Sequence, residues 1–343
     1  MNILIIWEGG RTLFRYVDCI DAGTEYCPCH LAEKGECIIC SQLRGKNFCD
    51  CLNWKGTCIY EEFIWNNKKA KRIREFKEFT IENKRLIRDD LLLLQVSVNP
   101  YLAKQLNNIG SYVFLKKPGS PLCFATPVSI MDSDIKNNLI TMVVKILGVK
   151  TKDLLECKDK VELKGPYWNG IQGQIFLKNL KGNEILIVAR GVAAAPCVMA
   201  AKKLIKANNK IMVVLEKGRG NGNFAKERFK SLGCEVYDVN MINYNDYSLS
   251  EEFKNLLLEL IKKNNFKVTI SGGSDEFHRL YLNFVYALDK SLKFATVNNA
   301  IITCGEGICG SCEVKLDRGI IKSCKQQYNP AEVFINLRGE GRK

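Results

Sequence analysis

Short apolar segments recur between residues 89 and 178, separated by proline and glycine. Segments of this length, interrupted by turn-forming residues, predict the strands of a β-barrel or a β-sandwich. The interruptions are Pro118-Gly119, Pro121, Pro127 and Gly165-Pro166. The predicted strands are Leu91–Val98, Gly110–Leu115, Leu139–Leu147 and Val161–Lys164.

The hydrophobic pattern changes after residue 180, where apolar segments alternate with stretches of helical spacing. Strands that alternate with helices predict a parallel α/β sheet. The predicted strands are Glu184–Ala189, Lys210–Leu215, Val236–Val239 and Phe266–Ile270. The predicted helices are Ala195–Ala207, Phe224–Leu232 and Glu251–Lys263.

The ends of the chain show neither of these patterns. The start, MNILIIWEGGRTLF, lacks a basic segment before its apolar residues, so we interpret it as a strand and not as a signal peptide. No run of about 18 apolar residues occurs, and we expect no membrane span. Residues 66–88 are rich in lysine and arginine, which indicates a solvated linker leading into a strand. Without interleaved aromatic residues or a recognition motif, we do not expect nucleic-acid binding there.

Composition shifts the interpretation toward metal chemistry, because the chain has 16 cysteines and only two histidines. With no secretion signal we expect the cytoplasm, where reducing conditions favour metal binding over disulfides. The formal charge is +14, from 51 Lys+Arg against 37 Asp+Glu. Three thiolate-bound clusters, each an anion of roughly two charges, would lower the total to about +8. The remaining positive charge would steer an acidic partner protein.

Four cysteines near the C-terminus have the spacing C-x4-C-x2-C-x11-C. Its first part is the plant-type ferredoxin spacing, whereas zinc sites favour paired C-x2-C knuckles. The intervening glycines let the backbone wrap closely and direct N–H groups toward the sulfurs. We therefore predict a [2Fe-2S] cluster, with a structural zinc site as the alternative. The predicted ligands are Cys304, Cys309, Cys312 and Cys324.

Eight further cysteines lie in the first 65 residues, within a segment that has too little apolar sequence to form a core. Metal would supply much of the stability of such a segment. The pattern fits two [4Fe-4S] clusters, two zinc ions, one cluster with spare thiols, or free or redox-sensing thiols. The candidate ligands are Cys19, Cys27, Cys29, Cys37, Cys40, Cys49, Cys51 and Cys58. Four isolated cysteines are predicted to be ordinary buried residues: Cys123, Cys157, Cys197 and Cys234.

The order of these parts over residues 75–343 resembles the electron-transfer subunit of dihydroorotate dehydrogenase. More broadly, it resembles the ferredoxin–NADP reductase superfamily, including sulfide dehydrogenase-like subunits. Pro127-Val128-Ser129-Ile130 is similar to the family's Arg-Pro-x-Ser flavin segment, with Thr126 in place of the arginine. Gly148 and Thr151 match the phosphate loop Gly-x-Gly-Thr-x-x-Leu. Gly165-Pro166 matches the Gly-Pro-x-Gly-Asn-Gly turn that closes the barrel.

The second half of the resemblance concerns the dinucleotide loop. Gly191 and Pro196 match the family's Gly-Gly-x-Gly-x-x-Pro, with Arg190 and Ala193 in place of the other two glycines. Arg190 either supplies a cation to the dinucleotide or fills the vacated space. Gly272 and Gly273 take the place of the strand end that faces the nicotinamide. The resemblance thus implies sites for FAD and NAD(P)H besides the [2Fe-2S] cluster.

The fold class that follows is α/β plus all-β. It consists of a Cys-rich metal-binding region (1–70), an antiparallel flavin-type β-barrel (71–180), a Rossmann-like parallel α/β domain (181–295) and a [2Fe-2S] module (296–343). No residue set suggests an acid–base catalytic pocket, so we name no catalytic residue. We expect an electron-transfer subunit whose partner is an oxidoreductase subunit or a ferredoxin-like protein. The alternative is an iron–sulfur sensor or scaffold whose nucleotide sites are degraded.

Overall fold

The computed structural model describes residues 4–8, 11–15, 19–49, 57–218 and 222–335. Near the N-terminus, β1 (Leu4–Glu8) pairs antiparallel with β2 (Arg11–Arg15), in agreement with the predicted strand. Two short helices follow, α1 (His30–Glu33) and α2 (Ile59–Trp65), together with a 3-10 turn at Gln42–Arg44. Apolar side chains of this region pack into one small core that includes Ile39, Leu43 and Phe63.

Six antiparallel strands close into a barrel in the order β3-β4-β7-β6-β5-β8. Leu92 and Leu94 point into the barrel core, whereas Leu91 and Leu93 join the core of the adjoining α/β sheet. The period of two thus divides a continuous leucine run between two cores. The strands are β3 (Lys77–Arg88), β4 (Leu91–Ser97), β5 (Tyr112–Lys116), β6 (Thr126–Asp134), β7 (Leu139–Lys145) and β8 (Lys160–Tyr167). The helices are α3 (Pro100–Leu106) and α4 (Val149–Asp153), with 3-10 turns at Leu122–Phe124 and Leu154–Glu156.

The α/β sheet has the strand order β12-β11-β10-β15-β16-β9, and all its pairs are parallel except β16 with β9. Its strands are β9 (Ile171–Gln172), β10 (Glu184–Ala189), β11 (Lys210–Glu216), β12 (Glu235–Val239), β15 (Phe266–Gly272) and β16 (Lys293–Val297). A small hairpin is formed by β13 (Ile242–Asn243) and β14 (Ser248–Leu249). The helices are α5 (Ala194–Lys206), α6 (Lys226–Ser231), α7 (Glu251–Lys263) and α8 (Asp275–Leu288), with 3-10 turns at Gln174–Phe176 and Gly191–Ala193.

The C-terminal part contains a hairpin of β17 (Glu313–Leu316) with β18 (Gly319–Lys322), and the short helix α9 (Ala331–Phe334). The described residues divide into two compact units. The first unit combines Met1–Glu75 with Ala300–Tyr328, so it holds both cysteine-rich segments. The second unit, Phe76–Asn299 with Asn329–Lys343, holds the barrel and the α/β sheet.

The barrel and the parallel α/β sheet confirm the predicted fold class, whereas several local predictions were wrong. Residues 77–88 are the first barrel strand and not linker, because β3 carries its charged side chains on the exposed side. Gly165-Pro166 does not break a strand, since β8 continues to Tyr167. Cys123 is exposed, unlike the other three isolated cysteines, which are buried. Within the described ranges, no helix is long and apolar enough to cross a membrane.

Candidate cofactor sites

The C-terminal cysteines come together in two pairs. Hydrogen bonds link the thiols of Cys304 and Cys309, and those of Cys312 and Cys324. The hairpin β17–β18 explains the long gap in the spacing, because it returns the chain to its starting point. There Ser323 donates from both its backbone N–H (3.0 Å) and its hydroxyl (2.9 Å) to the Cys312 carbonyl. Two adjacent thiol pairs match what two bridged irons require.

Three glycines in the left-handed backbone conformation shape the loop that carries the first three of these cysteines. Gly305, Gly307 and Gly310 have φ angles of 72°, 74° and 75°, which side chains disfavour. This path lets the backbone N–H of Glu306 donate to the Cys304 sulfur at 3.3 Å. Such donors stabilise sulfur charge and tune the reduction potential of an iron–sulfur site. The donor set therefore fits a [2Fe-2S] cluster.

The thiol pairs also shift one another's titration. A hydrogen bond from Cys324 lowers the pKa of Cys312 to about 6, and the same bond raises the pKa of Cys324. Burial alone would raise the pKa of Cys309, but hydrogen bonds from Ser311 and Cys304 lower it. In each pair one thiol thus has a lowered pKa, which favours metal ligation.

The N-terminal cysteines do not all meet at one place. Cys19, Cys27, Cys29 and Cys37 line one cavity, which we call the thiol cavity. Cys40 and Cys58 lie outside its lining among the described residues, Cys49 is exposed, and Cys51 lies outside the described residues. Across the described part of the chain, no three His, Cys, Asp or Glu side chains are arranged to hold a single metal ion.

A buried ionic network connects the two cysteine-rich segments of the first unit, and sequence reasoning missed it. The network consists of Asp21, Arg74, Glu306 and Lys325. Arg74 binds both oxygens of Asp21, at 2.8 and 3.2 Å, and reaches Glu306 at 3.2 Å. Lys325 contacts Asp21 and lies 3.0 Å from Glu306. The side chains of Arg74 and Lys325 are each only 1% exposed.

The network is internally neutral, with two cations and two carboxylates. Burial would raise the pKa of Asp21, but the charges of Lys325 and Arg74 overcome this and lower it. Arg74 also lies over the Tyr26 ring, with its guanidinium carbon 3.8 Å from the centroid. The sequence pattern placed Arg74 in a solvated charged stretch. Only the tertiary structure shows its partners, which are up to 232 residues away.

The residues predicted to contact flavin lie on barrel strand β6. Pro127 is exposed and Ser129 is half-buried, so a planar ligand has access to both. The hydroxyl of Ser111, beside this strand, is buried without a hydrogen-bond partner, and its carbonyl accepts from the Ile130 N–H at 2.9 Å. Thr126, in place of the family arginine, donates only to the Phe124 carbonyl at 3.1 Å. The strand therefore fits an isoalloxazine ring, but Thr126 lacks the paired N–H donors with which an arginine would bind a pyrophosphate.

The predicted phosphate loop is the start of helix α4. Gly148 is the residue before the helix, and the Thr151 hydroxyl accepts from the N–H groups of Leu147 (3.0 Å) and Gly148 (3.2 Å). Lys150 and Lys152 are exposed on the same helix and offer cations nearby. Gly165 and Pro166, predicted as a turn, instead lie within β8. A side chain at position 165 would come within 2.9 Å of Val113.

The dinucleotide residues lie where the strand order of the α/β sheet reverses. The sheet continues from β10 to β11 and β12 on one side and to β15 and β16 on the other. Ligands of open α/β sheets bind in the crevice beyond the strand ends at such a point. Gly191 begins the turn after β10 with a φ of 51°, and buried Pro196 lies in α5. A side chain at Gly272 would come within 2.8 Å of the Ala193 carbonyl, so these two loops touch.

Arg190 occupies part of this crevice. Its guanidinium donates to Glu216 at 3.1 Å and to the Tyr244 hydroxyl at 3.3 Å. It also lies 5.1 Å from the centre of the Phe277 ring. Glu216, at the end of β11, accepts a second bond from the Met241 N–H at 3.0 Å. In a dinucleotide fold, a carboxylate at this position would hydrogen-bond the ribose hydroxyl, but the Glu216 carboxylate is already paired with Arg190.

Comparisons with known proteins agree with this geometry, although no protein-family profile matches the chain. The chain is 33% identical over 225 residues to a dihydroorotate dehydrogenase B (NAD(+)) electron transfer subunit from Caldanaerobacter subterraneus, covering 64% of this chain and 79% of that protein. It is 24% identical over 250 residues to the subunit of the same name from Fusobacterium nucleatum, covering 70% and 90%. A solved NADH-dependent reduced ferredoxin-NADP oxidoreductase shares the fold, with a TM-score of 0.61 and 20% identity, covering 74% of this chain and 88% of that one.

Proposed function

We propose, since the chain belongs to the family of dihydroorotate dehydrogenase B electron-transfer subunits, that it passes electrons between a nicotinamide nucleotide and a partner oxidoreductase through FAD and a [2Fe-2S] cluster. The observation that carries this proposal is the convergence of Cys304 with Cys309 and of Cys312 with Cys324. Two thiol pairs joined by a hairpin are well suited to a two-iron centre. The partner would hold the substrate.

FAD would lie against β6, with Pro127 and Ser129 at the ring, and Gly148 and Thr151 near the phosphates. Gly165 and Pro166 support this face through the pairing of β8 with β5. FAD supplies the exchange between hydride transfer and single-electron transfer. Because Thr126 has no guanidinium group with which to bind the phosphates, the exposed Lys150 and Lys152 would contribute the positive charge that the phosphates require.

NAD(P)H would bind at the crevice formed by Gly191, Pro196, Gly272 and Gly273. The Arg190–Glu216 pair would have to open, or Arg190 would have to turn toward the phosphates, for the nucleotide to enter. An ion pair that is only 15% and 7% exposed is costly to separate unless the nucleotide replaces the lost contacts. NAD(P)H would therefore bind in this crevice together with a rearrangement of Arg190.

The N-terminal region would hold further metal, as [4Fe-4S] clusters or zinc, and we keep the four regions 1–70, 71–180, 181–295 and 296–343 as functional divisions. We also place the protein in the cytoplasm, where reducing conditions keep the proposed thiolate ligands from forming disulfides.

An anaerobic visible spectrum tests the proposal. A flavin band at about 450 nm that NADH bleaches would support it, since that reaction is the cofactor's own. Iron-containing protein without flavin would overturn it. Such a result would favour an iron–sulfur sensor or scaffold. The observation that supports this alternative is the hydrogen bond from Arg190 to Glu216, which engages the carboxylate expected to bind a ribose.

A further inference from the structure

We infer that Cys19, Cys27, Cys29 and Cys37 bind one [4Fe-4S] cluster in the thiol cavity, as a second redox centre of the first unit. This inference rests on the proposed electron-transfer function and adds a station to it. It selects four ligands from the eight N-terminal cysteines and, among those that the structure describes, leaves Cys40, Cys49 and Cys58 outside this site.

The lining of the thiol cavity is the first argument. The cavity contains about 340 Å³ of empty space, including its mouth. Much of this space is open to solvent, and the enclosed part that a water-sized sphere can enter is about 20 Å³, so it is the residues that line the cavity that support the inference. Apart from Asp21, the remaining lining is apolar and includes Leu31, Ile39 and Ile59. An apolar shell limits solvent access to a metal centre and helps to set its potential.

The arrangement of the sulfurs is the second argument. Electrostatic interactions link Cys19 with Cys27 and Cys29, and Cys37 with Cys27, Cys29 and Cys40, so the four thiols of the cavity lining form one connected set, to which Cys40 is joined through Cys37. Yet no three of the described His, Cys, Asp or Glu side chains are placed around one ion. Zinc would draw four sulfurs to about 2.3 Å from a single point. Four thiols that line one cavity without converging on a single point suit a cluster whose four irons each take one cysteine.

Backbone donors toward the sulfurs are the third argument. The Cys40 N–H donates to the Cys37 sulfur at 3.4 Å, and the Gly23 backbone donates to Cys27. N–H groups directed at cysteine sulfur stabilise the thiolate and tune the cluster. Cys40 therefore supports the Cys37 ligand through its backbone, while its own side chain does not line the cavity.

The ionic network links this site to the C-terminal ligand loop. Asp21 follows Cys19 by two residues, Glu306 lies between Cys304 and Cys309, and Lys325 follows Cys324. The Ile20 N–H also donates to the Lys325 carbonyl at 2.8 Å. The loaded sites are both anionic, and the buried cations Arg74 and Lys325 lie between the segments that carry them. One electron exchanged between the centres oxidises one cluster and reduces the other, and no bond is made or broken.

Variants of the full chain, purified anaerobically, test the assignment by iron content and low-temperature electron paramagnetic resonance. Cys29→Ser should lose about four irons and one signal while keeping the [2Fe-2S] signal. Cys123→Ser, an exposed cysteine of the barrel, should keep every iron. Full iron in Cys29→Ser, or a loss of zinc instead, would overturn the assignment.

Cys40→Ser tests the choice of ligands. The assignment is supported if Cys40→Ser keeps the signal that Cys29→Ser loses. It is also supported if the two single variants lose different signals and the Cys29→Ser/Cys40→Ser double variant loses both. It is overturned if both single variants and the double variant lose the same irons, because the two cysteines would then share one site. Retention of the [2Fe-2S] signal shows that the first unit has folded.

If Cys29→Ser does not fold, Mössbauer spectroscopy of the iron-enriched wild-type chain decides. A four-iron component supports the inference, and only a two-iron component overturns it. The flavin content of the same sample keeps the two proposals separate. Iron at about two per chain with bound flavin defeats the cluster inference alone, whereas a [4Fe-4S] signal without flavin defeats the proposed function alone.

Discussion

Replacing Lys325 with methionine should destabilise the first unit far more than an ordinary lysine substitution does. The side chain is 1% exposed and neutralises Asp21 and Glu306 together with Arg74. Without Lys325, two carboxylates share one cation and a buried negative charge remains. Removing one partner of a buried ion pair typically costs about 3–5 kcal/mol.

Native-state hydrogen exchange resolved by mass spectrometry measures this cost within one unit. Because about 1.4 kcal/mol is a tenfold change, protection in peptides around Ile20 should fall by roughly 150- to 5,000-fold. Peptides of the second unit serve as an internal reference in the same sample. The matched control is Lys263→Met, whose pair with Glu259 is 67% and 57% exposed and should cost about 0.3–0.5 kcal/mol.

A second substitution tests the electrostatic origin of the effect. Glu306→Gln in the Lys325→Met background removes the excess carboxylate charge and should restore about 0.5–3 kcal/mol. Equal protection in Lys325→Met and Lys263→Met would refute the reasoning. Absence of rescue by Glu306→Gln would show that the loss comes from packing and not from charge.

Three other predictions concern single sites. Cys309→Ser should abolish the [2Fe-2S] spectrum while the barrel still folds, and an unchanged cluster signal, equal to that of Cys123→Ser, would defeat the ligand assignment. Arg190→Gly should weaken NADH binding by less than about tenfold, or 1.4 kcal/mol, because Arg190 is engaged with Glu216; a larger loss in calorimetry would make Arg190 a binding group. Burial lowers the pKa of His278 to about 4, so the unfolded state, with a pKa near 6.5, binds the proton first as pH falls. The stabilisation that comes from keeping His278 neutral is therefore fully present above about pH 6.5 and is lost toward pH 4. The free energy of unfolding, measured with urea, should fall by about 2 kcal/mol between pH 7 and pH 5. His278→Gln should remove this slope, and an identical slope in the variant would contradict the assignment.

Periodicity predicted the elements whose burial follows a simple pattern. The strand Glu184–Ala189 and the helix Glu251–Lys263 have the predicted bounds, because the strand is apolar throughout after Glu184 and the helix has a clear apolar stripe. Strand β3 was missed because its charged side chains point outward from the barrel. Its apolar residues alone do not distinguish it from a linker.

The cysteine sites show a similar division. Spacing and glycines predicted that the C-terminal cysteines would come together, since three of these candidate ligands are local in sequence. The choice among the N-terminal cysteines depends on how irregular loops fold around the thiol cavity, which spacing does not determine. The network of Asp21, Arg74, Glu306 and Lys325 joins distant segments, and the attachment of Arg190 to Glu216 depends on the sheet order. Neither has a local sequence signal.

Anaerobic titration of the purified chain with NADH, followed by absorption and electron paramagnetic resonance, tests the central claim most directly. The account predicts that NADH bleaches the flavin band and that the [2Fe-2S] signal then develops without an added mediator. Bound flavin and cluster that NADH leaves fully oxidised would contradict it.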